Sequence, residues 1–85
     1  MFYVYVLRSG FDGDLYIGHT ADLRKRLSEH NTRKVDSTRG RVPFELVYYE
    51  ASRNLSDVIR REKYLKTTYG HRYLKSRLRD DVLHS

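Results

Sequence analysis

Two short runs of β-forming residues, Phe2-Tyr3-Val4-Tyr5-Val6-Leu7 and Leu15-Tyr16-Ile17, stand on either side of Gly10-Phe11-Asp12-Gly13-Asp14. Neither run carries a helical stripe, and the spacer is turn chemistry, so the chain is expected to begin with a β-hairpin. If the loop is residues 10–13, Ser9 closes against Asp14, Leu7 faces Tyr16 and Tyr5 faces Gly18. The side-chain period of two then puts Tyr5 and Tyr16 on one face as diagonal neighbours, roughly 7–8 Å apart at the backbone. A slip of one residue would separate them.

The rest of the chain continues the α+β pattern. Thr20 or Asp22 can cap a helix whose inward positions are Leu23 and Leu27, with Arg26 and His30 on the same flank and an end near Asn31. Residues 32–43 are polar and basic without periodicity, which reads as a mobile loop, and Pro43 suits the approach to a strand. Phe44-Glu45-Leu46-Val47-Tyr48-Tyr49 is that third strand. A helix from Asn54 or Ser56 to about Lys66 follows, with Leu55, Val58, Ile59 and Leu65 as its apolar face. Gly70 is expected to break the chain before a basic C-terminal helix marked by Tyr73, Leu74, Leu78 and Val82. The expected architecture is α+β: a small three-stranded sheet, mixed or antiparallel, flanked by helices in the order ββαβαα.

With 85 residues there is room for one core, so residues 1–85 are expected to form a single domain. No cysteine is present, which excludes disulfides, thiolate zinc sites and cysteine nucleophiles and fits a reducing cytoplasm. Residues 1–7 are apolar but short and lack a basic leader, so they are not expected to be a signal peptide, and no stretch approaches membrane-spanning length.

Several polar residues occupy positions that sequence periodicity would assign to a core. Glu62 falls three after Ile59 and three before Leu65, in the apolar stripe of its helix. A carboxylate placed there must be protonated or gain a partner. One candidate is a divalent cation completed by water and phosphate oxygens, and the other is a salt bridge to Arg26 or another arginine. Arg26 and His30 are i,i+4 neighbours and can grip one phosphate, or stand as an ordinary exposed pair. A tyrosine acts as a base only where metal or cations lower its pKa, and is otherwise packing. Gly18 inside a strand marks a bulge or a close approach by another group. His19 and His71 are expected at the surface.

These positions are the ones that a known family shares. With Tyr3-Val4-Tyr5, Tyr16-Ile17-Gly18, Arg26, His30 and Glu62, the chain resembles the GIY-YIG endonucleases, and their small bacterial single-domain branch in particular. Residues 15–27, His30-Asn31 and Arg60-Arg61-Glu62-Lys63 look like that branch's typical stretches. The resemblance implies a central three-stranded sheet with helices around it, and phosphodiester cleavage with one divalent metal, Mg²⁺ or Mn²⁺. It also implies that Tyr5, Tyr16, Arg26, His30 and Glu62 are the catalytic set, with Glu62 as metal ligand. Two departures stand out: Tyr3 replaces the glycine of the first triplet, and no asparagine follows Glu62. Thr67, Thr68 or His71 are candidates for the missing side chain.

Charge patterning agrees with a polyanionic partner. Of a net +6, residues 24–41 hold seven cations against Glu29 and Asp36, and residues 60–79 hold eight against Glu62 alone. The first twenty-three residues, with Arg8 against Asp12, Asp14 and Asp22, carry no excess. Localised basicity of this kind points to nucleic acid. The expected contacts are Arg24, Lys25, Arg33, Lys34, Arg39, Arg41, Arg61, Lys63 and Lys66. The sequence thus reads as a metal-dependent endonuclease acting on nucleic acid, DNA first, in repair or processing. The competing reading is a noncatalytic DNA- or RNA-binding module on a degenerate nuclease fold. Oligomeric state is left open.

Overall fold

The first strand, β1 (Phe2–Ser9), is the centre of the sheet, and it reads as a near-continuous apolar run because both of its faces are covered. Val4, Tyr5, Val6 and Leu7 are all at or below 2% exposure, which no two-layer arrangement would produce. In this computed structural model, which describes residues 1–80, β1 is joined by β2 (Leu15–Thr20) and β3 (Phe44–Ser52) in the order β2-β1-β3, both pairings antiparallel. Three helices complete the order ββαβαα: α1 (Leu23–Asn31), α2 (Leu55–Leu65) and α3 (Thr68–Arg77). Val82, expected in the last helix, lies outside the described residues. No described helix is long and apolar enough to cross a membrane.

The hairpin register is the one expected from the turn: Leu7 pairs with Tyr16 and Tyr5 with Gly18. Ser9 N–H donates to the Asp14 carbonyl at 3.0 Å, and Gly13 takes a φ of 75°, a conformation that disfavours residues with a β carbon. On the β1–β3 side the register shifts between Val6 and Leu7, so that Val6 pairs with Tyr48 but Leu7 with Leu46. That bulge leaves Val47 unpaired, free to pack with the α2–α3 side of the core.

The two faces of the sheet carry separate cores. Val4, Val6 and Ile17 pack with Val58 and Leu65 of α2 and with Leu74 and Leu78. Tyr5, Leu7 and Phe44 pack on the other face with Tyr16, Leu23, Leu27, Val42 and Leu46. The α1 helix starts at Asp22, whose carboxylate accepts from Lys25 N–H at 3.0 Å, while Thr20 caps nothing helical and instead accepts from Asp22 N–H.

Three local expectations are corrected. Residues 32–43 are not a free loop: Thr38 is fully buried, Arg41 is bonded to Asp12 at 2.8 Å, and the Asn31 side-chain amide donates to the Phe44 carbonyl and accepts from the Phe44 N–H. Gly70 does not break the chain. It sits in the first turn of α3, where the Tyr64 carbonyl oxygen and Leu65 Cα occupy the space a β carbon would need, and the helix starts at Thr67, whose hydroxyl accepts from Gly70 N–H. Leu55 lies on the apolar stripe of α2 but is 42% exposed, because at the first position of the helix it projects past the core.

Candidate active site

Gly18 explains how a tyrosine from the central strand reaches the sheet edge. Tyr5 is paired across from it, and the Tyr5 ring lies over the glycine of edge strand β2. Its hydroxyl thereby arrives under α1, where two side chains one helical turn apart converge on it. His30 Nε2 lies 2.8 Å from that oxygen, and Arg26 Nε donates to it at 3.4 Å. The glycine is therefore a close-approach position, and the approaching group is Tyr5.

The hydrogen bonds run in one direction. Thr38 Oγ1 donates to the Val35 carbonyl at 3.4 Å and so accepts from His30 Nδ1 at 2.8 Å. His30 then carries its proton on Nδ1, and Nε2 accepts from the Tyr5 hydroxyl. The Arg26 guanidinium completes the chain on the Tyr5 oxygen and uses Nη1 to hold Glu29 Oε1 at 3.2 Å. Other N–H groups of the Arg26 fork are left for a ligand, and its side chain is about a third exposed.

Burial sets the protonation of this chain. Desolvation raises the Tyr5 hydroxyl above its usual range despite the opposing bond and charge of Arg26. Desolvation and then the Arg26 charge push His30 below the usual histidine range, Glu29 opposing. Near neutral pH the chain is therefore a neutral imidazole and a neutral phenol beneath a cation. The Tyr5 hydroxyl thus stands between His30 and Arg26 as a neutral group bonded to both. His30 is wholly buried with one ring nitrogen on Tyr5 and the other on Thr38, so in this arrangement its link to Arg26 runs through the Tyr5 hydroxyl and not through a shared open face. Tyr16 is half-buried on the same face, with its ring 5.0 Å from the His30 ring and 6.4 Å from that of Tyr5.

Glu62 approaches the same edge strand from α2. Its Oε1 is bonded to His19 Nδ1, and its Oε2 accepts from Lys66 Nζ at 2.6 Å. The salt-bridge partner is thus not Arg26 or any arginine. Desolvation pushes the Glu62 carboxyl up, but the hydrogen bonds from Lys66 and His19 outweigh it and hold the group below the usual carboxylate range. Among the described residues no group of three or more His, Cys, Asp or Glu gathers as a metal cage. An ionised single carboxylate with exposed, displaceable partners fits the other arrangement, in which Mg²⁺ keeps its waters and takes the remaining oxygens from substrate phosphate.

The cations divide into two groups. Arg24, Lys25, Arg33, Lys34 and Lys63 are exposed, and Arg39 is exposed with a loose 3.8 Å approach to Asp36. Arg41 is held by Asp12 and stacks over Phe44, and Lys66 is on Glu62. Arg61 donates twice to Glu50, both at 2.9 Å, and lies over the rings of Tyr64 and Tyr73. Periodicity gave no sign of these partners, nor of Thr38 behind His30. Of the substitutes for the absent asparagine, Thr67 is committed to capping α3, while Thr68 and His71 are exposed.

The sequence profile of the GIY-YIG catalytic domain matches residues 1–75. A UPF0213 protein of Streptococcus agalactiae is 43% identical over 65 residues, covering 75% of this chain and 73% of its own. One from Bacillus pumilus is 44% identical over 66 residues, covering 76% of this chain and 66% of its own. The solution NMR structure of a UPF0213 protein from Bacillus halodurans is 35% identical, covers 89% of this chain and 84% of that one, and superimposes with a TM-score of 0.55.

Proposed function

This chain belongs to the GIY-YIG family of nuclease domains, and on that footing we propose that it is a single-domain endonuclease hydrolysing phosphodiester bonds in DNA, in repair or processing, with Mg²⁺ or Mn²⁺. The observation that supports this best is the convergence of Arg26 and His30 on the Tyr5 hydroxyl across Gly18, with Glu62 approaching the same strand from the opposite helix. Ordinary packing does not require a buried phenol to orient a partly exposed guanidinium.

Each side chain then has a role. The N–H groups of Arg26 not used by Tyr5 and Glu29 bind the nonbridging phosphate oxygens, where a fixed cation stabilises charge developing in the transition state. His30 and Thr38 hold Tyr5, and Tyr5 holds Arg26, so the guanidinium is oriented before substrate arrives. Tyr16 positions or activates the attacking water, with His19 as the alternative base. Glu62 is the ligand for the divalent cation, which supplies Lewis-acid charge to the phosphate when bound. Exposed Arg24, Lys25, Arg33, Lys34, Arg39 and Lys63 follow the backbone of the polymer.

One observation favours the noncatalytic reading: Glu62 already has Lys66 and His19 as partners without any metal. Glu62→Gln separates the two. Labelled branched, single-stranded and duplex DNA is incubated with wild type and variant, with and without Mg²⁺ or Mn²⁺. Metal-dependent cleavage by wild type, lost in the variant with binding retained, is the expected result. Binding without cleavage in both proteins would leave the noncatalytic module standing.

A further inference from the structure

Leu55 leaves the core that its helical spacing assigns it to, and the space it borders joins the site already described. A cavity of about 460 Å³ opens between the first turn of α1, the end of β2 and the first turn of α2. Its lining combines His19, Lys25 and Arg26 with the apolar Phe2 and Leu55. Two carboxylates also line it, but each is engaged: Asp22 accepts from the Lys25 backbone N–H as the cap of α1, and Glu29 accepts from Arg26. Phe2 is held from behind, packed on the larger core and paired to Ser52 of β3, so its ring forms a fixed wall.

We propose that this cavity is a nucleoside subsite, in which Phe2 and Leu55 receive the unstacked base or sugar attached to the phosphate bound at Arg26. This rests on the nucleic-acid reading and adds a specificity element to it. A lining that combines cations with apolar side chains matches the phosphate and the base of a nucleotide. The volume lies in the range of small-molecule sites, and an aromatic face is tolerant of any base. A base stacked inside a duplex cannot enter, so the occupant is an unpaired or frayed nucleotide.

The test compares binding of the full chain to oligo(dT) and to an all-abasic oligodeoxynucleotide of equal length, at fixed salt with EDTA so that nothing is cleaved. Wild type is expected to bind oligo(dT) more tightly by on the order of tenfold, the scale of one base–aromatic contact. Leu55→Ser and Phe2→Ala are expected to bring oligo(dT) down to the abasic level without changing abasic binding, while Leu55→Phe keeps the preference. Leu55 is exposed, so Leu55→Ser tests the wall even where Phe2→Ala disturbs folding. A dT preference that persists in Leu55→Ser overturns the subsite. Equal wild-type binding of the two polymers overturns the subsite alone and leaves the nuclease reading intact. Absence of binding to either polymer overturns both.

Discussion

Tyr5 lies so close over Gly18 that a β carbon on the glycine would stand 2.5 Å from the Tyr5 hydroxyl and 2.7 Å from its ring carbon Cζ. Real β carbons do not approach other atoms that closely, so the missing side chain is what lets a residue of the central strand reach across the edge strand. The contact makes the smallest residue of the Tyr16-Ile17-Gly18 triplet responsible for where Arg26 points.

Gly18→Ala is therefore expected to act at a distance. The ring is rigid and its hydroxyl is bonded on both sides, so the added methyl must push the ring or the strand, at a cost of about 1–3 kcal/mol. Urea denaturation measures that loss, and cleavage assays should show a drop as Arg26 loses its support. In a Tyr5→Leu background no ring covers the position, and the stability cost of Gly18→Ala should shrink. An equal cost in both backgrounds would place the strain elsewhere.

His30 predicts a pH dependence of stability. Its pKa is lowered in the folded protein, by burial first and the Arg26 charge second, so the unfolded chain binds the proton more readily. Its contribution is complete above the unfolded histidine value of about 6.5 and is lost as pH falls from there toward the folded pKa. Glu50 and Glu62 are also lowered, but their loss begins only near the unfolded carboxylate value of about 4.3. The urea midpoint should thus begin to decline as pH falls below about 6.5, before the carboxylates titrate. Nitrogen NMR should find His30 as the neutral Nδ1–H form at pH 7. An imidazolium signal for His30 at that pH would contradict the hydrogen-bond order from Tyr5 to Thr38.

The parts of this fold that were legible are those set by local chemistry. The turn at residues 10–13 determined the hairpin register, and the register alone paired Tyr5 with Gly18 and brought Tyr5 and Tyr16 to one face. Long-range pairing was not legible. His19 and Glu62 are 43 positions apart, and neither periodicity nor spacing says which of many cations a carboxylate will meet. Thr38 stands in a stretch without periodicity, so only the folded chain shows that it orients His30. Gly70 failed for another reason: a helix stop and a tight helix–helix approach both select glycine, and only the neighbouring Tyr64 and Leu65 distinguish them. Leu55 satisfies the helical stripe, but a stripe does not show where the opposing surface ends.

Arg61 and Lys63 stand two residues apart on α2 and should behave differently. Arg61 forms a forked pair with Glu50 and lies over two aromatic rings, whereas Lys63 is exposed. Arg61→Ala is expected to destabilise by about 1–2 kcal/mol, since it strips a half-buried carboxylate of its fork, and to leave the salt dependence of DNA binding unchanged. Lys63→Ala should alter stability by less than about 0.5 kcal/mol and lower the salt slope by roughly 0.7–0.9 if Lys63 meets a phosphate. Urea titrations and log–log salt plots on both variants check this. A reduced slope in Arg61→Ala would show that Arg61 leaves Glu50 when DNA binds.

Arg26→Lys tests the centre of the proposed mechanism. Arg26 bonds Tyr5 through Nε and Glu29 through Nη1 and still has donors to offer, which depends on a planar fork of fixed geometry. An ammonium keeps the charge but is a single point: it cannot hold Tyr5 and Glu29 in this geometry and meet two phosphate oxygens as well. Binding through the surrounding cations should persist, so KM is expected to change little. Turnover should fall by about 10²–10³, the usual cost of removing one oriented donor from a developing charge. Single-turnover rates and KM should be measured together with the urea midpoint, to separate lost chemistry from lost folding. Wild-type turnover in the lysine variant would move Arg26 away from the reacting phosphate and leave the Tyr5–His30 chain as packing.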